Sequence, residues 1–181
     1  MGSKTIGTAK QIIFLFFMIR GTLQSAEPFK EVEYVQYAKE IMNPFIDECE
    51  KNFQLDCIGT GGRFSRNVAG IDITFIAYRK GSIEEARKLE VTITEKLLAE
   101  VNGNEKIRPF LSEYPFKADN IGISLSFRKE DDSRYLDNSV ALVCIGKGQL
   151  IYSAENPKTH LLDTILEEPY EDAKKIVNLS K

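Results

Sequence analysis

The stretch CIGTGGRFSRNVAG, residues 57–70, gathers the residues best suited to hold an anion: Gly61, Gly62, Arg63 and Arg66, then Gly70 after Val68. Glycine frees the backbone for positive φ and close approach, and bared amides beside guanidinium groups bind phosphate or carboxylate. A phosphate-binding P-loop needs Gly-Lys-Ser/Thr after its first glycine and a helix behind it. Here no lysine follows the glycines, and the chain runs into a strand-like alternation. The dinucleotide fingerprint fails for the same reason, and its third glycine is misplaced. What remains is a long hairpin loop over 61–69, with Gly61, Gly62, Arg63, Arg66, Val68 and Gly70 as candidate binding residues. The loop is either structural, its glycines serving bulges, or an anion site built from amides and two arginines.

Nucleophilic chemistry would need His160, the one histidine of the chain, beside a thiol or hydroxyl. Cys57 and Cys144 are the thiols to consider, which makes a cysteine-dependent hydrolase the enzyme alternative. Both lie in apolar, strand-like runs, a context that favours inert burial, and His160 follows Pro157 in a polar segment that belongs at the surface. Cys49, Cys57 and Cys144 are an odd set, so one pair, with a Cys57–Cys144 approach across a sheet in view, would leave a thiol over. Buried free thiols are the reading placed ahead. One histidine and three scattered cysteines give no zinc spacing. Glu130, Asp131, Asp132 and Asp137 lack the glycine and terminal glutamate of an EF-hand loop. No catalytic residue, cofactor or metal is assigned.

These side chains must be held by elements that the spacing of apolar residues defines. From 29 to 53 the positions Val32, Val35, Ile41, Phe45 and Cys49 recur at helical spacing, and Pro44 is expected to kink or split the helix. Strands follow at 54–60 and 70–79. Ser82, with Glu85 three residues on, opens a second helix whose face runs through Ala86, Leu89 or Glu90, Ile93, Leu97 and Val101, with Gly103 as its left-handed cap. The run NEKIRPFLSEYPF is a packed connection. A strand at 120–128 alternates Ile121, Ile123, Leu125 and Phe127 against Gly122, Ser124 and Ser126, and KEDDSRYLDNS is a charged loop. Strands at 140–145 and 150–154 flank the hairpin signal GKGQ, and Pro169 opens a last helix. The order α-β-β-α-β-β-β-α predicts an α+β fold, a mainly antiparallel sheet with helices packed on one face.

The first 26 residues have a different character. Lys4 and Lys10 precede the apolar run 12–19, and small polar residues lead to Ser25-Ala26. Basic head, short apolar core and small exit make a secretory signal peptide, leaving 27–181 as a single α+β domain, periplasmic or secreted. An eight-residue apolar helix rises about 12 Å, too short for a stable membrane span. Lys4, Lys10 and Arg20 are the only charges in that segment, so its loss moves the formal charge of -3 three units further negative. That sign argues against nucleic acid as a partner.

Residues Arg66-Asn67-Val68-Ala69-Gly70, between two strands after a long helix, resemble the inhibitory hairpin of cystatins, Gln-x-Val-x-Gly, with Arg66 in place of the glutamine. The resemblance implies that Val68, Ala69 and Gly70 would wedge into the cleft of a papain-like protease. Over most of the remaining chain, GGR, SIEEARKLEV, EKIRPFLSEYPF and EEPYEDAKKIV are similar to uncharacterised exported proteins of chlamydia-like and other intracellular bacteria. That likeness implies a small α+β domain without assigned activity. The expectation is therefore an exported binding module with a protein partner, the alternatives being a cystatin-like inhibitor or a cysteine-dependent hydrolase. The surfaces singled out are the sheet face around Ser124 and Ser126 and the loops 61–69 and 130–138.

Overall fold

The structure, a computed structural model, describes residues 32–179. The segment read as a signal peptide lies outside them. Helix α1 (Glu33–Phe53) leads into the hairpin of β1 (Asp56–Phe64) and β2 (Val68–Ala77), and helix α2 (Ile83–Gly103) crosses to β3 (Ile121–Phe127). Strands β4 (Leu142–Gly146), β5 (Gln149–Glu155) and β6 (Leu162–Pro169) follow, and α3 (Tyr170–Leu179) comes last. The six strands lie side by side in chain order. Every pair is antiparallel except β2 with β3, which α2 joins as a parallel crossover. This is the α+β class expected, with the helices packed on the sheet.

The register explains the core. Cys57, Phe75, Leu125, Val143, Tyr152 and Leu166 are successive cross-strand partners and form one row across all six strands. They face the helices, and Phe75, Leu125, Val143 and Tyr152 are fully buried. Side chains alternate between faces, so the next row, Thr74, Ser124, Cys144 and Ile151, lies on the other face. Over the core row α1 packs on β1 and β2, α2 on β3 and β4, and α3 on β5 and β6, with α2 touching both other helices.

Local chemistry sets the element ends. The Ser82 hydroxyl accepts the Glu85 amide at 3.1 Å and caps α2, as its spacing predicts. Lys147 and Gly148, at φ of 50° and 69°, make the tight turn between β4 and β5 whose positive φ suits glycine. Three expectations are corrected, and of the two outcomes expected at Pro44 the split is excluded. Helix α1 continues through Pro44 without splitting. Gly103 ends α2 as a helical residue, with the extended Asn104 as cap. The loop expected over 61–69 shrinks to 65–67, since pairing of Gly61, Gly62 and Arg63 with Asp72, Ile71 and Gly70 carries both strands further. Residues 162–169 add a sixth strand, an edge strand of mainly exposed residues that only its pairing with β5 defines.

Arg87 of α2 fixes that edge. Its guanidinium donates to both carboxylate oxygens of Glu168 at 2.7 and 3.1 Å, and Tyr152 donates to the same carboxylate at 2.6 Å. Arg87 and Glu168 are each only 13% exposed. Removing one partner strands a nearly buried charge, at a cost of about 3–5 kcal/mol. Arg87→Ala is expected to lower stability by about that amount in urea unfolding, whereas the exposed pair Lys175–Asp172 should tolerate Lys175→Ala within about 0.5 kcal/mol.

Candidate binding cleft

Parallel pairing of β2 and β3 is the one place where adjacent strands end side by side in the same direction. In open α/β sheets, ligands lie outside such carboxyl ends. Here the chain leaves β2 through Tyr78, Arg79 and Lys80, and leaves β3 into the charged segment 128–139. That segment and the turn after β5 enclose a cleft of about 440 Å³, open to solvent and lined by Arg128, Lys129, Asp132, Arg134, Glu155 and His160, with Ser133 and Leu136 at its rim. The volume lies within the range of small-ligand sites.

The loop is tied down along its length. The Lys129 amide donates to the Ser133 carbonyl at 2.9 Å and closes one turn. Asp131 accepts from the Ser133 amide and hydroxyl at 3.0 and 2.6 Å. Asp132 accepts the Tyr78 hydroxyl at 3.1 Å, and Asp137 meets Lys80 at 2.5 Å. Opposite, the Asn156 side chain accepts the amides of Lys158 and Thr159 at 2.9 and 3.3 Å, which closes the turn that carries His160. Asp132 and His160 both have left-handed backbone, at φ of 65° and 56°. Residues held so cluster at binding sites, although aspartate and histidine accept this region more readily than most.

Charge in the cleft is uneven. Glu155, 11% exposed at its side chain, receives His160 Nδ1 at 2.8 Å and lies 3.6 Å from the Arg134 guanidinium. Those bonds, His160 first, hold its carboxyl below the usual range. Arg128 donates to the Ser126 hydroxyl at 3.1 Å and lies 3.7 Å from Asp132. The Lys129 ammonium sits over the Tyr135 ring, 5.4 Å from its centroid, and enters no ion pair among the described residues. Arg134 Nε is buried without a hydrogen-bond partner among the described residues. Three basic side chains thus face two carboxylates, with His160 beside them.

The residues singled out from sequence stand elsewhere. Arg63 spans the sheet face opposite the helices, bonded to the carbonyls of Ala69 and Asp119 at 3.2 and 3.1 Å and 3.6 Å from Asp72. A Cβ on Gly70 would occupy the place of that guanidinium, and a Cβ on Gly122 the place of the Asp72 carboxylate. The glycines of this region thus make room for a half-exposed ion pair on that sheet face, and Arg63 is engaged in it. Gly61 and Gly62 are strand residues, and Arg66 is exposed at the hairpin end. Val68 is fully buried and Gly70 is buried beneath Arg63, so neither projects from the surface. Ser126 is also covered, beneath the Arg128 side chain, which leaves Ser124 the more accessible of the two serines.

Cys57 lies in the row facing the helices and Cys144 in the row facing away, so strand parity rules out a bridge between them. All three cysteines are free thiols. Burial pushes Cys49 up to about 12 and raises Cys57 and Cys144. No cysteine lines the cleft that His160 enters. Among the described residues no three histidine, cysteine or acidic side chains converge as metal ligands, and no helix is long and apolar enough to cross a membrane. Comparison with protein-family models, curated proteins and solved structures finds no match.

Two outcomes follow. Iodoacetamide at pH 8 is expected to modify Cys49 at least about a hundredfold more slowly in the native protein than after unfolding, by mass spectrometry of its peptide. Asp137, held down to about 2 chiefly by Lys80, and Glu155 are depressed carboxylates. Their contribution is complete above the unfolded carboxylate range and is lost as pH falls through their folded values. Amide exchange of 128–139, corrected for intrinsic rates, should accelerate between about pH 4 and pH 2; loosening already at pH 6 would contradict these assignments.

Proposed function

We propose that this chain is a non-catalytic binding module that takes an acidic segment of a partner protein into the cleft between 128–136 and 155–160. The observation that carries this reading is Lys129, an ammonium in a cleft with an excess of cations, held over the Tyr135 ring with Asp131 nearby but in no direct ion pair among the described residues. Arg128 and Arg134 stand beside it, the second with a buried donor unused. A carboxylate arriving there would find a charge already oriented by the loop. Loops on a rigid scaffold carry function more often than the scaffold does.

The partner is a protein segment rather than a nucleic acid. The chain as a whole is acidic, at -3, and Glu130, Asp131 and Asp137 border the cleft in sequence. A polyphosphate backbone tracking beyond the central cations would run into these carboxylates, whereas a short acidic peptide would not. The leader-like segment 1–26 supports placing this encounter outside the cytosol.

Fluorescence anisotropy with a labelled oligoglutamate peptide tests the reading. Binding is expected to weaken as ionic strength rises. The double variant Arg128→Ala, Lys129→Ala should bind about five- to thirtyfold more weakly, at about 0.5–1 kcal/mol for each charge lost. Arg66→Ala on the remote hairpin should bind as the parent does. Equal binding by the double variant, or none by the parent, would contradict the assignment.

A further inference from the structure

Glu90 lies in the middle of α2, on the face turned to the sheet, and is fully buried. Neither of its carboxyl oxygens has a hydrogen-bond partner among the described residues, and one turn later the hydroxyl of the equally buried Thr94 has none either. A buried ionised carboxylate without partners costs so much that such a group keeps its proton instead. From β4 the Ile145 amide approaches it and favours the ionised form less than burial opposes it; from β5, Tyr152 is near; and from α3, Tyr170. None of these supplies a positive charge. The tyrosine hydroxyls are already donated, Tyr152 to Glu168 at 2.6 Å and Tyr170 to Glu95 at 2.8 Å. The cations of this corner are taken too: Arg87 binds Glu168, and Lys174 lies 2.8 Å from Glu95.

We infer that Glu90 is a neutral carboxylic acid in the folded protein and that loss of its proton to solvent releases α3 from α2, a latch that closes in acid and opens as pH rises. Ionisation must be met by water. β4 and β5 are interior strands with neighbours on both sides, so they yield least. α3 is ten residues long and seats only Tyr170, Ala173 and Val177 in the core. It is tied by the Tyr170 amide, which donates to the Gly148 carbonyl at 2.9 Å, and by Glu95 on α2, which takes the Tyr170 hydroxyl and Lys174, each at 2.8 Å. Short elements with few buried contacts supply the low-energy openings of a fold. Burial raises Glu90 well above the ordinary carboxyl range, in accord with the geometry.

The sign is opposite to that of Asp137. The open form releases the proton above about pH 4.3 and the closed form holds it to higher pH, so opening becomes more favourable as pH rises between those two values. One proton released gives about a tenfold larger opening constant per pH unit across that window, and none beyond it.

Hydrogen exchange of the full chain at pH 5, 6, 7 and 8, corrected for intrinsic rates, reads this directly. Amides of 170–179 are expected to lose protection about tenfold per unit until Glu90 is ionised in the closed form, and Glu90→Gln should remove that dependence. The carboxyl carbon shift of Glu90 in labelled parent protein gives an independent reading that needs no variant, and it should titrate above the other glutamates. Titration of Glu90 in the ordinary range, pH-independent protection of α3 in the parent, or the same dependence in Glu90→Gln would overturn the latch.

Discussion

The parallel pairing of β2 with β3 is the constraint from which the rest follows. Two strands pointing the same way need a crossover, and α2 supplies it by running back over the sheet. Its buried face, from Ala86 through Ile93 to Val101, lands on the middle of the sheet and forces α1 and α3 to its flanks. The same pairing aligns the carboxyl ends of β2 and β3, so the segment after Phe127 must turn away beside Tyr78 and Lys80. The position of the cleft is thus a product of topology, and its charge a product of the residues that happen to fall there.

Polar groups divide the molecule into two kinds of site. At the strand ends they are exposed and mostly paired, with Lys129 left over. Between α2, β4 and α3 they are buried, and Glu90 and Thr94 stand unpaired among networks that satisfy everything around them. A buried polar group without a partner is costly, and Glu90 and Thr94 are two such groups one turn apart on α2. The two sites respond to acid in opposite directions, because Asp137 is held ionised chiefly by Lys80 and Glu155 by its bonds to His160 and Arg134, whereas burial dominates at Glu90.

Much of this architecture was legible in the sequence because it rests on local rules. Helix α2 followed from its 3.6-residue spacing and the Ser82 cap, β3 from strict alternation, and the β4–β5 hairpin from Lys147-Gly148. What was hidden depends on distant residues. Edge strand β6 carries acids on an exposed surface, and only its partner β5 reveals it. Gly61 and Gly62 read as a loop because nothing local says that Arg63 will lie across Gly70. The loop 130–138 was marked by its charge, but its union with Glu155 and His160 required knowing that β3 lies beside β2 and β4 pairs with β5. Glu90 was visible only as an ambiguous face position, since its lack of a partner is a property of the packed state.

The most direct measurement is amide chemical-shift mapping of the labelled protein during titration with the acidic peptide. Shifts are expected to be confined to 128–136 and 155–160, with Lys129 and Arg134 among the largest. Shifts centred instead on the β1–β2 hairpin or on the Arg63–Asp72 face, with the cleft unmoved, would contradict it.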